Sequence, residues 1–159
     1  MNELNPQRRA LLKGGCAAGV LAMAASAGLL VPGRVLAAEW NKSAFEAKSV
    51  ADALKGLGAS GVTDSKDILI KAHDIAENGS MVPVEVVSQI ADTRSIAILS
   101  DKNPLPLLAA FDFTEGAQGY VSTRIKMGQT SIVRVVVKAG DKYYGATKEI
   151  KVTIGGCGG

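Results

Sequence analysis

Residues Thr130 to Ile154 read TSIVRVVVKAGDKYYGATKEIKVTI, and this stretch decides the fold. Apolar and polar residues alternate on both sides of the turn-forming run Ala139-Gly140-Asp141-Lys142, which predicts two β-strands joined by a hairpin. In the second strand one face carries Ile150, Val152 and Ile154, and the other carries the polar residues between them. The pattern therefore predicts a sheet with one buried face that continues up to Ile154.

The first strand of this pair carries an unusual charge. Val133, Val135 and Val137 form one face, whereas Ile132 and Val136 flank Arg134 on the other face. An arginine between apolar residues indicates either an edge strand or an interface, and we expect the edge.

The same strand-forming residue pattern extends back along the chain to Asp67. Short runs rich in Val, Ile, Thr, Tyr and Phe are separated by turn residues and predict seven strands. They lie near residues 67–75, 81–90, 94–100, 107–114, 119–127, 130–138 and 143–154. Because no helical pattern separates them, we predict an all-β fold, an immunoglobulin-like antiparallel β-sandwich.

One N-terminal amphipathic helix is predicted before the strands. Ser43 and Glu46 have the spacing of a capping box, apolar residues follow at helical spacing, and Gly56 and Gly58 end the segment. We place the helix at about residues 44–56. It either closes one side of the core, which we take as the default, or binds a partner.

Residues 1–38 have the features of a cleaved export signal. Arg8 and Arg9 precede an Ala- and Gly-rich apolar run, and small residues follow near position 37. The paired arginines resemble a twin-arginine signal, with a plain secretory signal or a membrane anchor as alternatives. We therefore expect a periplasmic protein with no membrane attachment after signal removal, and we expect Cys16 to be discarded with the signal.

The charge balance gives no reason to expect a nucleic-acid partner. The chain has 18 basic and 15 acidic residues, but four of the basic residues and one acidic residue lie in the first 38 positions. The remainder of the chain carries equal numbers of each, whereas nucleic-acid binding requires a basic face.

No catalytic or metal-binding set is visible in the sequence. The chain has one histidine, His73, and it lacks a Cys-x-x-Cys pair and a phosphate-binding loop. Metal sites and hydrolytic triads require several convergent side chains. We therefore predict no catalytic residues, no metal and no cofactor, and a protein that is not an enzyme.

The chain ends in a flexible arm, residues 155–159, which follows a β-sandwich domain at 39–154. Cys157 is the one cysteine outside the signal, and four glycines surround it, namely Gly155, Gly156, Gly158 and Gly159. Glycines leave the backbone free and the sulfur unshielded. With Ile154 as the anchor, the arm extends roughly 10–11 Å to Cys157. Such a thiol indicates a carrier; the alternatives are an incidental terminal thiol or an exported β-sandwich adaptor with an interchain disulfide.

Several stretches resemble the SoxY family of sulfur-carrier subunits. They are Asp74-Ile75-Ala76-Glu77-Asn78-Gly79, Val82-Pro83-Val84, Asn103-Pro104, Ser122-Thr123-Arg124-Ile125-Lys126-Met127 and Val152-Thr153-Ile154-Gly155-Gly156-Cys157-Gly158-Gly159. The terminal stretch is the most specific. His73-Asp74 departs from the family pattern, where we expect a sequence nearer to Pro-Glu.

The resemblance implies that Cys157 is the covalent attachment site for sulfur intermediates during thiosulfate oxidation. It implies a heterodimer with a second small β-sandwich, SoxZ. It also implies two client enzymes and an optional third. The haem-containing c-type cytochrome SoxAX joins thiosulfate to the cysteine, and the hydrolase SoxB releases sulfate. The optional third is the sulfane oxidase SoxCD. The carrier itself performs no catalysis.

Overall fold

A computed structural model describes residues 40–153 of the chain. Several sequence-based predictions lie outside these residues. They are the export signal with Arg8 and Arg9, the anchor Ile154, and the arm residues Gly155, Gly156, Cys157, Gly158 and Gly159. Among the described helices, none is long and apolar enough to cross a membrane.

Two short helices precede nine strands in the described residues. The helices are α1 (Lys42–Phe45) and α2 (Val50–Gly56). The strands are β1 (Thr63–Asp64), β2 (Ile68–Lys71), β3 (Ile75–Ala76), β4 (Val82–Ser88), β5 (Thr93–Ser100), β6 (Leu107–Asp112), β7 (Tyr120–Ile125), β8 (Ser131–Ala139) and β9 (Lys142–Val152).

The strands form two sheets, which confirms the all-β immunoglobulin-like sandwich. The large sheet has the order β1-β9-β8-β5-β6, with β3 also paired to β9, and the small sheet has the order β2-β4-β7. The pairs β8–β9, β5–β8, β5–β6, β2–β4 and β4–β7 are antiparallel. The strands β1 and β3 run parallel to β9, two short pairings that the sequence did not predict.

The main core lies between the two sheets. Its fully buried side chains alternate along the strands and include Val82, Val84 and Val86 of β4, Ile96 and Ile98 of β5, Val133, Val135 and Val137 of β8, and Ile150 of β9. Burial of each such side chain contributes about 1.5–3 kcal/mol. The predicted alternation of β9 is confirmed, because Ile150 is buried whereas Glu149 and Lys151 are exposed.

The helices close a second apolar cluster on the outer face of the large sheet. Ala44 and Ala53 of the helices are fully buried there against Leu99, Val136 and their neighbours. The segment thus closes the core, as the default interpretation predicted.

The single helix predicted at residues 44–56 was wrong, because the chain turns back between α1 and α2. Asn41, and not Ser43, caps α1 by accepting a hydrogen bond from Ala44 N–H. Ser49 has extended backbone angles and caps α2 through Asp52 N–H, which starts a new helix.

The two helices approach so closely that only glycine fits at the contact. A Cβ at Gly56 would lie 2.7 Å from Ala44 Cα, although twelve residues of one continuous helix would separate these positions by about 18 Å. The Asn41 side chain also donates to Gly56 O at 2.7 Å, which ties the start of α1 to the end of α2.

The strand predicted at 67–75 is also two strands, and they lie in different sheets. Lys71 of β2 pairs with Glu85 in the small sheet, whereas Ile75 of β3 pairs with Lys151 in the large sheet. The polar pair His73-Asp74 interrupts the apolar alternation, which resumes at Ile75, but this interruption alone does not show that the chain changes sheet. This crossover brings β3 beside the end of β9.

Arg134 is not an edge residue. It lies on β8, which has β9 on one side and β5 on the other. Its guanidinium forms an ion pair with Asp101 at 3.1 Å, and both side chains are half-buried. A central strand accommodates the charge because the outer face is partly open there and because Asp101 neutralises it.

Candidate functional site

The described part of β9 ends in a backbone segment that is held from both sides. The Val152 N–H donates to Thr130 Oγ1 at 3.0 Å, and the Thr153 N–H donates to Ala76 O at 3.1 Å. We call Val152 and Thr153 the root of the arm. Cys157 lies four residues beyond Thr153, so covalent geometry keeps its Cα within about 13–14 Å of the root.

The segment before β4 packs directly against the root. The Gly79 carbonyl accepts a hydrogen bond from Met127 N–H at 2.7 Å. A Cβ at Gly79 would meet Met127 O and would lie 2.8 Å from Val152 Cγ1. Glycine is therefore required at this position by close approach and not by a special backbone angle.

The loop after β5 is hydrogen-bonded to the segment around Met127, which itself contacts Gly79. The Asn103 side chain donates to Lys126 O at 2.7 Å and accepts from Gly128 N–H at 3.5 Å. The buried hydroxyls of Ser100 and Ser131 lie 3.1 Å apart and connect the ends of β5 and β8. Residues 76–79, 100–103 and 127–131 together form what we call the root platform.

The root platform includes parts of several stretches on which the family resemblance was based. Residues 76–79, Asn103 and Met127 come from three separate stretches, and hydrogen bonds and packing bring them to one end of the sandwich. The sequence did not reveal the roles of Thr130, Ser100 and Ser131. Their side chains make long-range contacts, and no local pattern marks such contacts.

An ion pair between a half-buried lysine and an exposed carboxylate links the residue before β3 to β9, next to the root. Lys148 Nζ lies 2.9 Å from Asp74 Oδ1, and the Lys151 N–H donates to Asp74 O at 2.9 Å. The hydrogen bond from Lys148, together with its positive charge, lowers the pKa of Asp74. His73 is exposed, and within residues 40–153 no group of three or more His, Cys, Asp or Glu side chains could hold a metal ion.

A cavity of about 670 Å³ lies at the opposite end of the sandwich. Its lining includes Ser88, Thr93, Arg94, Phe113 and Tyr120. The strand β5 runs from Thr93 at the cavity to Ser100 at the root platform, a span of roughly 23 Å at ~3.3 Å per residue. Because the arm reaches about 13–14 Å, Cys157 does not enter the cavity of its own chain.

Comparison with known proteins agrees with this geometry. The family model described as "Sulfur oxidation protein SoxY" matches residues 54–157, a range that ends at the cysteine of the arm. A solved structure, the sulfur carrier protein SoxY from Chlorobium limicola f thiosulfatophilum, is similar with 40% identity and a TM-score of 0.58. That similarity covers 64% of this chain and 92% of the other. No curated protein matches.

The family match spans most of the domain and the structural match shares its two-sheet fold. Both agree with the resemblance found in the sequence. The chain therefore belongs to the SoxY family of sulfur oxidation proteins.

Proposed function

We propose that this protein is a periplasmic sulfur carrier that binds thiosulfate-derived intermediates covalently on Cys157 and presents them to separate enzymes. The observation that carries the proposal is the root, where Val152 and Thr153 are held from both sides directly before the glycine-rich arm. A fixed root followed by a short glycine-rich segment suits a thiol that must enter another protein's site. The similar solved structure is titled a sulfur carrier protein, which supports the same role.

Loading of the carrier is an oxidation. The Cys157 thiol loses its proton, its sulfur bonds to the sulfane sulfur of thiosulfate, and two electrons leave to the haem protein SoxAX. The product is a Cys157–S–S–SO₃⁻ adduct. The hydrolase SoxB then cleaves the bond between the sulfane sulfur and the sulfonate with water, which gives sulfate and leaves a persulfide on Cys157.

The client enzymes supply the reactivity of the thiol. Residues 153–159 contain no Lys, Arg or His that would stabilise a thiolate. A thiol without such neighbours is mainly protonated at neutral pH, since the ordinary cysteine pKa is about 8.5. The client sites therefore promote the deprotonation and oxidation of a thiol that reacts only slowly with small reagents on the free arm.

The proposal includes a companion and a compartment. A SoxZ-like β-sandwich pairs with the chain, and SoxCD is an optional client that oxidises the remaining sulfane sulfur. The signal at residues 1–38, with Arg8 and Arg9, directs export by the twin-arginine route, and cleavage leaves a periplasmic protein without a membrane anchor.

Intact-mass spectrometry tests the proposed function. Protein purified from cells grown on thiosulfate is expected to carry sulfur adducts on Cys157, and Cys157→Ser is expected to carry none while it unfolds at the same temperature. Absence of adducts under every growth condition contradicts the proposal. A stoichiometric interchain disulfide in active material, seen on non-reducing gels, supports the adaptor instead.

A further inference from the structure

The outer face of the large sheet is covered over only half of its length. Near the turn between β8 and β9, the two helices pack over Val136 and Tyr143. At the other end, next to the root, the described residues leave the face uncovered. We call this part the open face; it consists of Ile75, Ile132, Arg134, Thr147, Glu149 and Lys151.

The sheet register places these side chains on one side of three neighbouring strands. Ile75 of β3 stands opposite Lys151 of β9, and Glu149 of β9 stands opposite Ile132 of β8. Directly paired residues point to the same face, as do residues two positions apart in one strand. The open face is therefore continuous from β3 to β8.

Exposed apolar side chains are concentrated at this end of the molecule. Ile75 is 57% exposed and Ile132 is 41% exposed on the open face. Met81 and Leu105, in the segments that follow Gly79 and Asn103, are 57% and 47% exposed. Within residues 41–153 the other large apolar side chains exposed to this degree are Leu69 and Tyr120, on the small sheet. Grouped exposed apolar residues mark interaction surfaces more often than scattered ones do.

The short length of the arm means that an enzyme acting on Cys157 must bind close to the root. Cys157 stays within about 13–14 Å of Thr153, so any enzyme that reacts with the thiol must bring its own surface to the root. The open face begins beside the root, because Lys151 immediately precedes Val152 and pairs with Ile75. A protein bound only near the distant cavity cannot receive the thiol of this chain.

We propose that the open face, with Met81 and Leu105 at the same end of the sandwich, is the docking surface for the client enzymes that act on Cys157. The proposal rests on the carrier function proposed above. The composition of the open face predicts that each client has a ring of apolar residues around the entrance of its site. This ring is flanked by an acidic and a basic side chain, which complement Lys151 and Glu149. Arg134 needs no charge on the client, because Asp101 already neutralises it. Shared use of one surface by successive clients would make their binding mutually exclusive.

The experiment measures sulfate release by the SoxB hydrolase from the carrier in complex with its companion subunit. Tetrathionate loads the complex without the cytochrome: the Cys157 thiolate attacks one central sulfur, the central S–S bond breaks, and thiosulfate leaves. The test variants are Ile75→Asp and Ile132→Asp, with the milder Ile75→Thr and Ile132→Thr in case an aspartate prevents folding. Leu69→Asp is the matched control, because Leu69 is 42% exposed on the other sheet.

The proposal predicts that the open-face variants raise KM roughly tenfold or more, with a smaller effect on kcat. The Leu69→Asp complex is expected to keep the wild-type KM. Iodoacetamide labelling of Cys157 should be equal in all variants, since it requires no docking. Wild-type KM in all folded open-face variants overturns the docking proposal. The proposal is also overturned if the variants bind the companion subunit more weakly but the assembled complex keeps wild-type kinetics. That result would assign the open face to the companion. If the loaded wild-type complex releases no sulfate, the carrier function itself fails.

Discussion

The Thr130 side chain bonds to the backbone of Val152 and makes, with one oxygen, contacts that a neighbouring strand would otherwise make through its backbone. Its Oγ1 accepts from Val152 N–H at 3.0 Å and lies 3.5 Å from Val152 O. β8 begins only at Ser131, so without this hydroxyl the last paired residue of β9 would lack a partner on that side. The position of the root therefore depends on one side chain outside the regular ladder.

Replacement of Thr130 by Val tests this dependence. The change removes the hydroxyl at nearly constant shape and leaves the Val152 N–H without its partner, which is expected to cost about 1 kcal/mol of unfolding free energy. Denaturant unfolding measures the loss, and amide hydrogen exchange at Val152 should become faster. Thr130→Ser keeps the oxygen and is the control. Equal exchange in the Val variant and the wild type would show that Thr130 does not hold the root.

Gly79→Ala is expected to destabilise the domain by about 1–3 kcal/mol. The new methyl group would meet Met127 O and would lie 2.8 Å from Val152 Cγ1, so the backbone must shift at the root platform. Thermal unfolding measures the effect. Gly128→Ala is the matched control, since a Cβ there meets nothing within 4 Å. If both variants unfold at the same temperature, the close packing at Gly79 is not significant.

The Asp74–Lys148 pair is expected to give a pH-dependent contribution to stability. Lys148 lowers the Asp74 pKa below its ordinary value of 3.8, so the folded state binds this proton less readily than the unfolded state does. The contribution is therefore present above 3.8 and is lost as the pH falls through the lower folded-state pKa.

Asp74→Asn should accordingly lower the unfolding midpoint at neutral pH and should differ little from the wild type well below pH 3.8. The effect is expected to be small and to decrease with salt, because the Asp74 side chain is 86% exposed. Urea unfolding across this pH range measures it. A difference that persists undiminished in acid would assign the effect to a cause other than this ion pair.

Gly156→Val is expected to slow transfer to the client enzymes roughly tenfold or more, because it adds a β-branched side chain next to Cys157 and stiffens the arm. The melting temperature should not change, since the position lies beyond the end of β9. Sulfate release from the loaded variant measures the transfer, and Gly156→Ala provides a graded control. Full rates in the Val variant would show that the client channels are wide.

The sequence predicted the strands well because each has one face in the core. The predicted strands 130–138 and 143–154 correspond to β8 and β9, and alternation of side chains places Ile150 inside in both descriptions. The sequence did not show the turn between α1 and α2, where Ser49 and the close contact between Gly56 and Ala44 interrupt an apparently helical pattern. It also missed the crossover from β2 to β3, because alternation does not tell which sheet a strand joins.

The candidate site was predictable only in part. The Gly-Gly-Cys-Gly-Gly segment identified the thiol and its family from local sequence. The surroundings of the root depend on contacts between distant positions, such as Asn103 with Lys126 and Thr130 with Val152. Polar residues in turns are common, and only the fold shows which of them meet.

The two short parallel strands beside β9 have a further consequence. β1 pairs with β9 at Tyr144 and Gly145, and β3 pairs with it at Lys151 and Val152, so both ends of this outer edge are occupied. An open edge would invite a second copy to add its own β9, strand against strand. The crossover that builds β3 thus also protects the root end of this edge from strand addition by a second copy.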